Sequence, residues 1–83
     1  MNAKELYELA EGVEKLEKYA KNQRYILDKA IETVLGDLWF GRDGNGYYFQ
    51  KWQGNNTEIY SRYYATQIDG LKAYADEAIE WVA

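Results

Sequence analysis

Residues 38–64 read LWFGRDGNGYYFQKWQGNNTEIYSRYY, and nine of the chain's fourteen aromatic residues stand in this stretch. Leu38-Trp39-Phe40, then Tyr47-Tyr48-Phe49-Gln50-Lys51-Trp52, then Thr57-Glu58-Ile59-Tyr60-Ser61-Arg62-Tyr63-Tyr64 are three runs rich in β-forming residues. The separators Asp43-Gly44-Asn45-Gly46 and Gln53-Gly54-Asn55-Asn56 hold the Gly and Asn residues with which hairpin turns reach positive φ. A three-stranded antiparallel meander is predicted.

Pairing that sets Phe40 opposite Phe49, and Phe49 opposite Tyr60, sorts the side chains onto two faces by alternation. Trp39, Tyr48, Trp52, Ile59 and Tyr63 share a face without charge, which is predicted to lie under the helices. The other face would present Leu38, Phe40, Arg42, Tyr47, Phe49, Lys51, Glu58, Tyr60, Arg62 and Tyr64 to solvent. A slip of one residue between strands exchanges part of these sets.

Upstream, no proline interrupts Ala3 to Leu35, and Leu6, Val13, Ala20, Leu27 and Val34 recur every seven residues. Leu9, Leu16, Gln23 and Ala30 stand three places after the first four. Glu11 with Lys15, Glu14 with Lys18, and Glu17 with Lys21 are Glu-before-Lys pairs that mark a solvated helix face. One unbroken helix would extend about 50 Å, about twice an ordinary strand. Either it breaks near Lys21-Asn22-Gln23 and folds into a hairpin, or its first half overhangs and packs on a second copy. Gly36 ends the pattern.

Downstream, Thr66-Gln67-Ile68-Asp69 has the form of an N-cap. A last helix is expected to run to about Val82, through Ile68, Leu71, Ala75, Ala78, Ile79 and Val82. The predicted architecture is one α+β domain over residues 1–83. It comprises a long or broken N-terminal helix, a three-stranded antiparallel meander and a C-terminal helix, in two layers.

The chain has 83 residues, 47% hydrophobic and 29% charged, which excludes disorder and low-complexity classes. It has no Cys and no His, which removes disulfides, thiolate nucleophiles, most zinc and haem sites, and imidazole acid–base chemistry. Ser61 is the sole serine and lacks a His base, and Asp43 with Glu58 is the one acidic pair near the turns. Gly44-Asn45-Gly46 lacks the third glycine of a dinucleotide fingerprint. Asp43-Gly44-Asn45 opens like a calcium loop, but Gly54 stands where the bidentate Glu belongs. No enzyme activity, catalytic residue, metal site or cofactor is therefore expected. The N-terminus has no signal-peptide pattern and no apolar run is long enough for a membrane span, so a cytoplasmic location without membrane association is expected. Asn55-Asn56-Thr57 matches a glycosylation sequon but reads as turn chemistry.

Net charge is −4, and it is uneven: residues 66–83 carry four acidic side chains against one basic. Asp69, Asp76, Glu77 and Glu80 are opposed there by Lys72 alone, which disfavours nonspecific nucleic-acid binding. These four acids, with Phe40, Arg42, Tyr47, Phe49, Tyr60, Arg62 and Tyr64 of the sheet, are the candidate partner-binding residues. The leading expectation is a non-enzymatic protein-interaction module working by acidic and aromatic contacts, its partner a protein that handles nucleic acid. One alternative is a single-stranded nucleic-acid binder using Phe40, Phe49, Tyr60, Arg42 and Arg62. Another is a homodimer formed through the Leu6 to Leu27 stripe.

The helix–sheet–helix order, the small acidic chain, the hairpin Gly44-Asn45-Gly46-Tyr47, and the segments Tyr64-Ala65 and Lys72-Ala73-Tyr74-Ala75-Asp76 resemble the anti-CRISPR proteins, short phage-encoded inhibitors of host defence. The resemblance covers about half of the chain. It implies a mobile-element inhibitor, and for members that imitate DNA it assigns the acidic surface to Asp69, Asp76, Glu77 and Glu80. A net charge of −4 is modest for DNA mimicry. The strand order is also similar to that of double-stranded-RNA-binding domains, whose last helix begins basic where this chain has Asp69-Gly70-Leu71-Lys72.

Overall fold

The first hairpin turns at Gly44-Asn45, where the Asp43 carboxylate accepts the Asn45 N–H at 2.7 Å. Gly46 leaves the turn with φ 125°, and a Cβ there would stand 2.6 Å from the Tyr64 carbonyl oxygen, so only glycine fits. A computed structural model describes residues 1–15, 21–55 and 57–82 of the chain. Its elements are α1 (Ala3–Lys15), α2 (Lys21–Leu35), β1 (Trp39–Asp43), β2 (Gly46–Gln53), β3 (Thr57–Ser61), α3 (Gln67–Ala75) and β4 (Trp81–Val82). The strands form one antiparallel sheet in the order β1-β2-β3-β4. The architecture is α+β, with the helices packed on one face of that sheet.

The N-terminal helical region is broken, as one of the two expected forms required. Glu14 of α1 lines the same cleft as Arg24 of α2, and Met1 lines another with Val34, so the two helices run antiparallel. Lys21-Asn22-Gln23, near which the break was expected, form the first turn of α2. Leu16 and Ala20 of the heptad stripe, and the pairs Glu14–Lys18 and Glu17–Lys21, lie outside the described residues. Asn2 and Glu5 cap α1 reciprocally, each side chain accepting the other's backbone N–H at 2.8 and 3.1 Å. Gly36, with φ 60°, closes α2 by donating to the Glu32 carbonyl. The Thr66 hydroxyl caps α3 by accepting from Asp69 N–H at 3.1 Å, as the sequence predicts.

Leu6, Leu27, Phe49 and Leu71 are the largest fully buried side chains, joined by Ala10, Val13, Ile31, Leu35 and Tyr64. Leu6, Val13 and Leu27 belonged to the stripe assigned to a homodimer seam. They are instead spent inside the chain, because the helical hairpin turns that stripe onto α3 and the sheet.

Two expectations about the sheet are corrected. The C-terminal helix does not reach Val82: it ends at Ala75, Asp76 caps it, and Glu77 adopts φ 54°. Trp81 and Val82 then pair with Ser61 and Tyr60 as a fourth strand. The free edge of β3 offers ladder hydrogen bonds that a further helical turn in solvent cannot match, and Trp81-Val82 are strand-formers.

The second correction concerns register and face. Phe40 is opposite Phe49 as expected, but Gln50, not Phe49, is opposite Tyr60. The pair Gln53 with Thr57 closes the second hairpin one residue tighter than assumed. The buried face carries Phe40, Phe49 and Tyr64, with Phe40 and Phe49 stacked at 4.4 Å. Of the uncharged set expected in the core, Trp39, Tyr48, Trp52 and Tyr63 are on the open face, where Glu58 and Tyr60 join them. Cations did not keep the other face from burial because they reach over rings of that side: Arg42 over Tyr47, Lys51 over Trp81, Arg62 over Tyr64. Ile59 shares that face, since it is opposite Lys51.

Beyond β3 the strand carries one extra residue. Tyr47 exchanges both backbone hydrogen bonds with Tyr64, whereas the β2–β3 register alone would set it against Tyr63. This bulge turns Tyr64 into the core and Tyr63 onto the open face.

Candidate functional site

The open face of the sheet is an aromatic surface built from β1, β2 and β3. The exposed large apolar residues Trp39, Trp52, Tyr60 and Tyr63 retain 59%, 64%, 43% and 43% of their accessible surface. Strand alternation places all four there together with the half-buried Tyr48. One rung carries Trp39, Gln50, Tyr60 and Val82 from β1 to β4, and the next sets Trp52 opposite Glu58. At a third, Gly41 is opposite Tyr48. A Cβ on Gly41 would meet the Trp39 Nε1 at 2.5 Å and the Tyr48 hydroxyl at 2.9 Å. The missing side chain lets the indole and the phenol close over the backbone.

The rings hold one another. Tyr48 packs edge-on to Tyr63 at 5.8 Å and tilted to Tyr60 at 6.2 Å. The Tyr60 hydroxyl donates to Glu58 Oε2 at 2.7 Å and accepts from the Gln50 side chain at 3.4 Å. The Tyr63 hydroxyl donates to Asp43 Oδ2 at 2.7 Å. Both phenols are pushed above the ordinary tyrosine value, Tyr60 by its hydrogen bond to Glu58 and Tyr63 by its bond to Asp43, the latter opposed in part by Asn45. The result is a platform of rings in which two carboxylates are each held beside a phenol.

The residues nominated from the sequence fall elsewhere, with one exception. Tyr60 is on the open face. Phe49 and Tyr64 are 0% and 3% exposed and lie in the core, while Phe40 and Tyr47 are half-buried against it. Arg42 lies over Tyr47. Arg62 lies over Tyr64 and is ion-paired with Glu80, whose carbonyl also accepts the Arg62 N–H. The surface proposed for single-stranded nucleic acid is therefore not assembled: its Phe49 is covered and its two arginines stand on the helix side.

The four acids do not form an unopposed patch either. Asp69, Asp76 and Glu80 line one cleft with Arg62 and Lys72. Asp76 accepts from the Lys72 ammonium at 2.9 Å, and that contact raises the lysine's pKa. Glu77 is exposed at the turn after α3. The acidic helix of the sequence is a mixed-charge cleft in three dimensions.

Sequence reasoning missed Trp39, Tyr48, Trp52 and Tyr63 as surface residues, although it grouped them correctly on one face. The signal available was the tryptophan pair flanked by Gln50, Glu58 and Asp43, polar residues that a buried face would have had to satisfy. Among the described residues no cluster of three or more acidic side chains could hold a metal ion, and no helix is long and apolar enough to cross a membrane. Comparison with known proteins gives no match, whether to family models, to curated proteins or to solved structures.

Proposed function

We propose that this chain is a non-enzymatic protein-interaction module whose contact surface is the open face of its sheet. One observation carries the reading: four large rings remain widely exposed on a face that neither helices nor loops cover. At about half of the ~200 Å² that such a side chain can bury, four rings supply about 400 Å² of aromatic area, and contiguous patches of that size mark interaction sites. Trp and Tyr are also the residues that most often anchor protein interfaces. The anti-CRISPR resemblance directs the search for the partner toward a host nucleic-acid-handling or defence complex, with this chain as a mobile-element inhibitor.

The test is capture of partners from host lysate by the tagged chain, with nuclease present, comparing wild type with the Trp39→Ala/Trp52→Ala variant. A stoichiometric protein retained by wild type and lost by the variant supports the reading. A protein retained equally by both moves the interface off this face, and recovery of nucleic acid alone overturns the proposal.

A further inference from the structure

We infer that the open face receives arginine side chains from a basic segment of its protein partner, their guanidinium planes stacked on its rings and paired with Glu58 and Asp43. This rests on the reading of that face as a protein-binding surface, and it specifies the chemistry of what binds.

Rings elsewhere in the chain already take cations, arginine and lysine alike. Arg42, Lys51 and Arg62 each lie over an aromatic ring on the helix side, at 5.5, 4.3 and 4.5 Å from its centroid. Among the described residues no cation lies over Trp39, Tyr48, Trp52, Tyr60 or Tyr63. The open rings are thus cation acceptors without a cation.

The carboxylates are placed to complete the site. Glu58 is opposite Trp52 in register and takes a hydrogen bond from Tyr60. Asp43 takes one from Tyr63 and one from the Asn45 backbone. A carboxylate has about four acceptor positions, so both keep capacity for a further donor. An apolar partner would bury these charges with that capacity unfilled, which is costly. A second copy of the chain would bring like charges together in a dry contact, and phosphates would meet the two carboxylates, since Arg42 and Lys51, which line clefts with Trp39 and Trp52, already lie over Tyr47 and Trp81. Arginine answers every requirement: a flat, weakly hydrated cation that stacks on a ring while its N–H groups reach a carboxylate in the same plane. Lysine also seats over a ring, as Lys51 does over Trp81, but its compact and strongly hydrated point charge lacks the planar fork that reaches a carboxylate from the same position.

Titration of the intact chain with a hexa-arginine peptide, followed by tryptophan fluorescence and calorimetry at low ionic strength, tests the inference. Hexa-lysine of equal charge is the comparison. Hexa-arginine should bind several-fold more tightly. Trp52→Ala and Glu58→Gln should each weaken it by about two- to fivefold, while Glu77→Gln, away from this face, should leave it unchanged. Equal binding of the two peptides that ignores Trp52→Ala would reduce the effect to general attraction by the net charge, and absence of binding would overturn the inference outright. So would oligothymidine binding, or a concentration-dependent dimer, that Trp52→Ala abolishes, since either gives the face to a different occupant. If a lysate partner is lost in Trp39→Ala/Trp52→Ala but hexa-arginine fails to bind, the interaction module stands and the arginine preference falls.

Discussion

The Phe49 backbone N–H donates to the Ser61 hydroxyl at 2.8 Å, and that hydroxyl donates in turn to the Arg62 carbonyl at 2.8 Å. Ser61 is the buried polar residue of the core, 5% exposed, and it sits where the bulge interrupts the β2–β3 ladder. Its hydroxyl stands in for ladder hydrogen bonds that the extra residue displaces.

Ser61→Ala should therefore destabilise the fold by about 1–3 kcal/mol, the cost of leaving a buried N–H without a partner. The midpoint of urea unfolding should fall at an unchanged slope. A midpoint equal to wild type would mean that the Phe49 N–H finds another acceptor.

Gly70→Ala separates helix propensity from packing. Propensity alone favours Ala in α3 by about 1 kcal/mol. A Cβ at Gly70, however, would stand 2.7 Å from the Phe40 ring and 3.7 Å from that of Phe49. The variant should be less stable by about 1–3 kcal/mol, seen as a lower Tm.

Trp39→Ala/Trp52→Ala should stay close to wild-type stability, within about 1 kcal/mol, because both indoles are widely exposed. Phe49→Ala, at the centre of the core, should cost about 3–5 kcal/mol. Comparing their urea curves establishes that the open face can be altered without unfolding the chain.

Tyr60 and Tyr63 titrate above the ordinary tyrosine range because their neutral phenols donate to carboxylates. The folded state thus favours the protonated form. Its contribution is complete below the unfolded tyrosine pKa of about 10 and is lost as pH rises through the elevated values. Glu58→Gln should move one of the chain's nine tyrosines back toward the ordinary value in a difference titration of tyrosinate absorbance. Identical curves for the two proteins would show that the Tyr60–Glu58 bond does not persist in solution.

Much of the fold was legible because local rules decide it. The Gly-Asn turns, the Phe40–Phe49 pairing, the Gly36 stop and the Thr66 cap each depend on a few neighbouring residues, and each is found where the sequence places it. The last strand was not legible. Ala78, Ile79 and Val82 fit a helical period, and only the open edge of β3 draws Trp81 and Val82 out of it.

Within β1 and β2 the residues that share a face are likewise written in strand alternation, and Trp39, Tyr48 and Trp52 were grouped from sequence alone; for β3 the register moved Ile59 to the buried face and Glu58 and Tyr60 to the open one, and the bulge set Tyr63 beside them. Which face is buried was decided by tertiary structure. Charge argued one way, since Arg42, Lys51 and Arg62 accompany the Phe40–Phe49 side. Packing decided the other way, because long cationic side chains reach over rings to solvent while Phe40 and Phe49 close onto Gly70, Leu71 and Tyr74 beneath them. The amino-acid order by itself determined the turns, the caps and the alternation within each strand, all short-range consequences of backbone geometry, whereas the register of β3 and its bulge were set by the assembled sheet. Only the docking of α2 and α3 on one side of the sheet, with α1 packed on those helices, left two tryptophans in water, because burial is a property of the surfaces that meet and not of either strand alone.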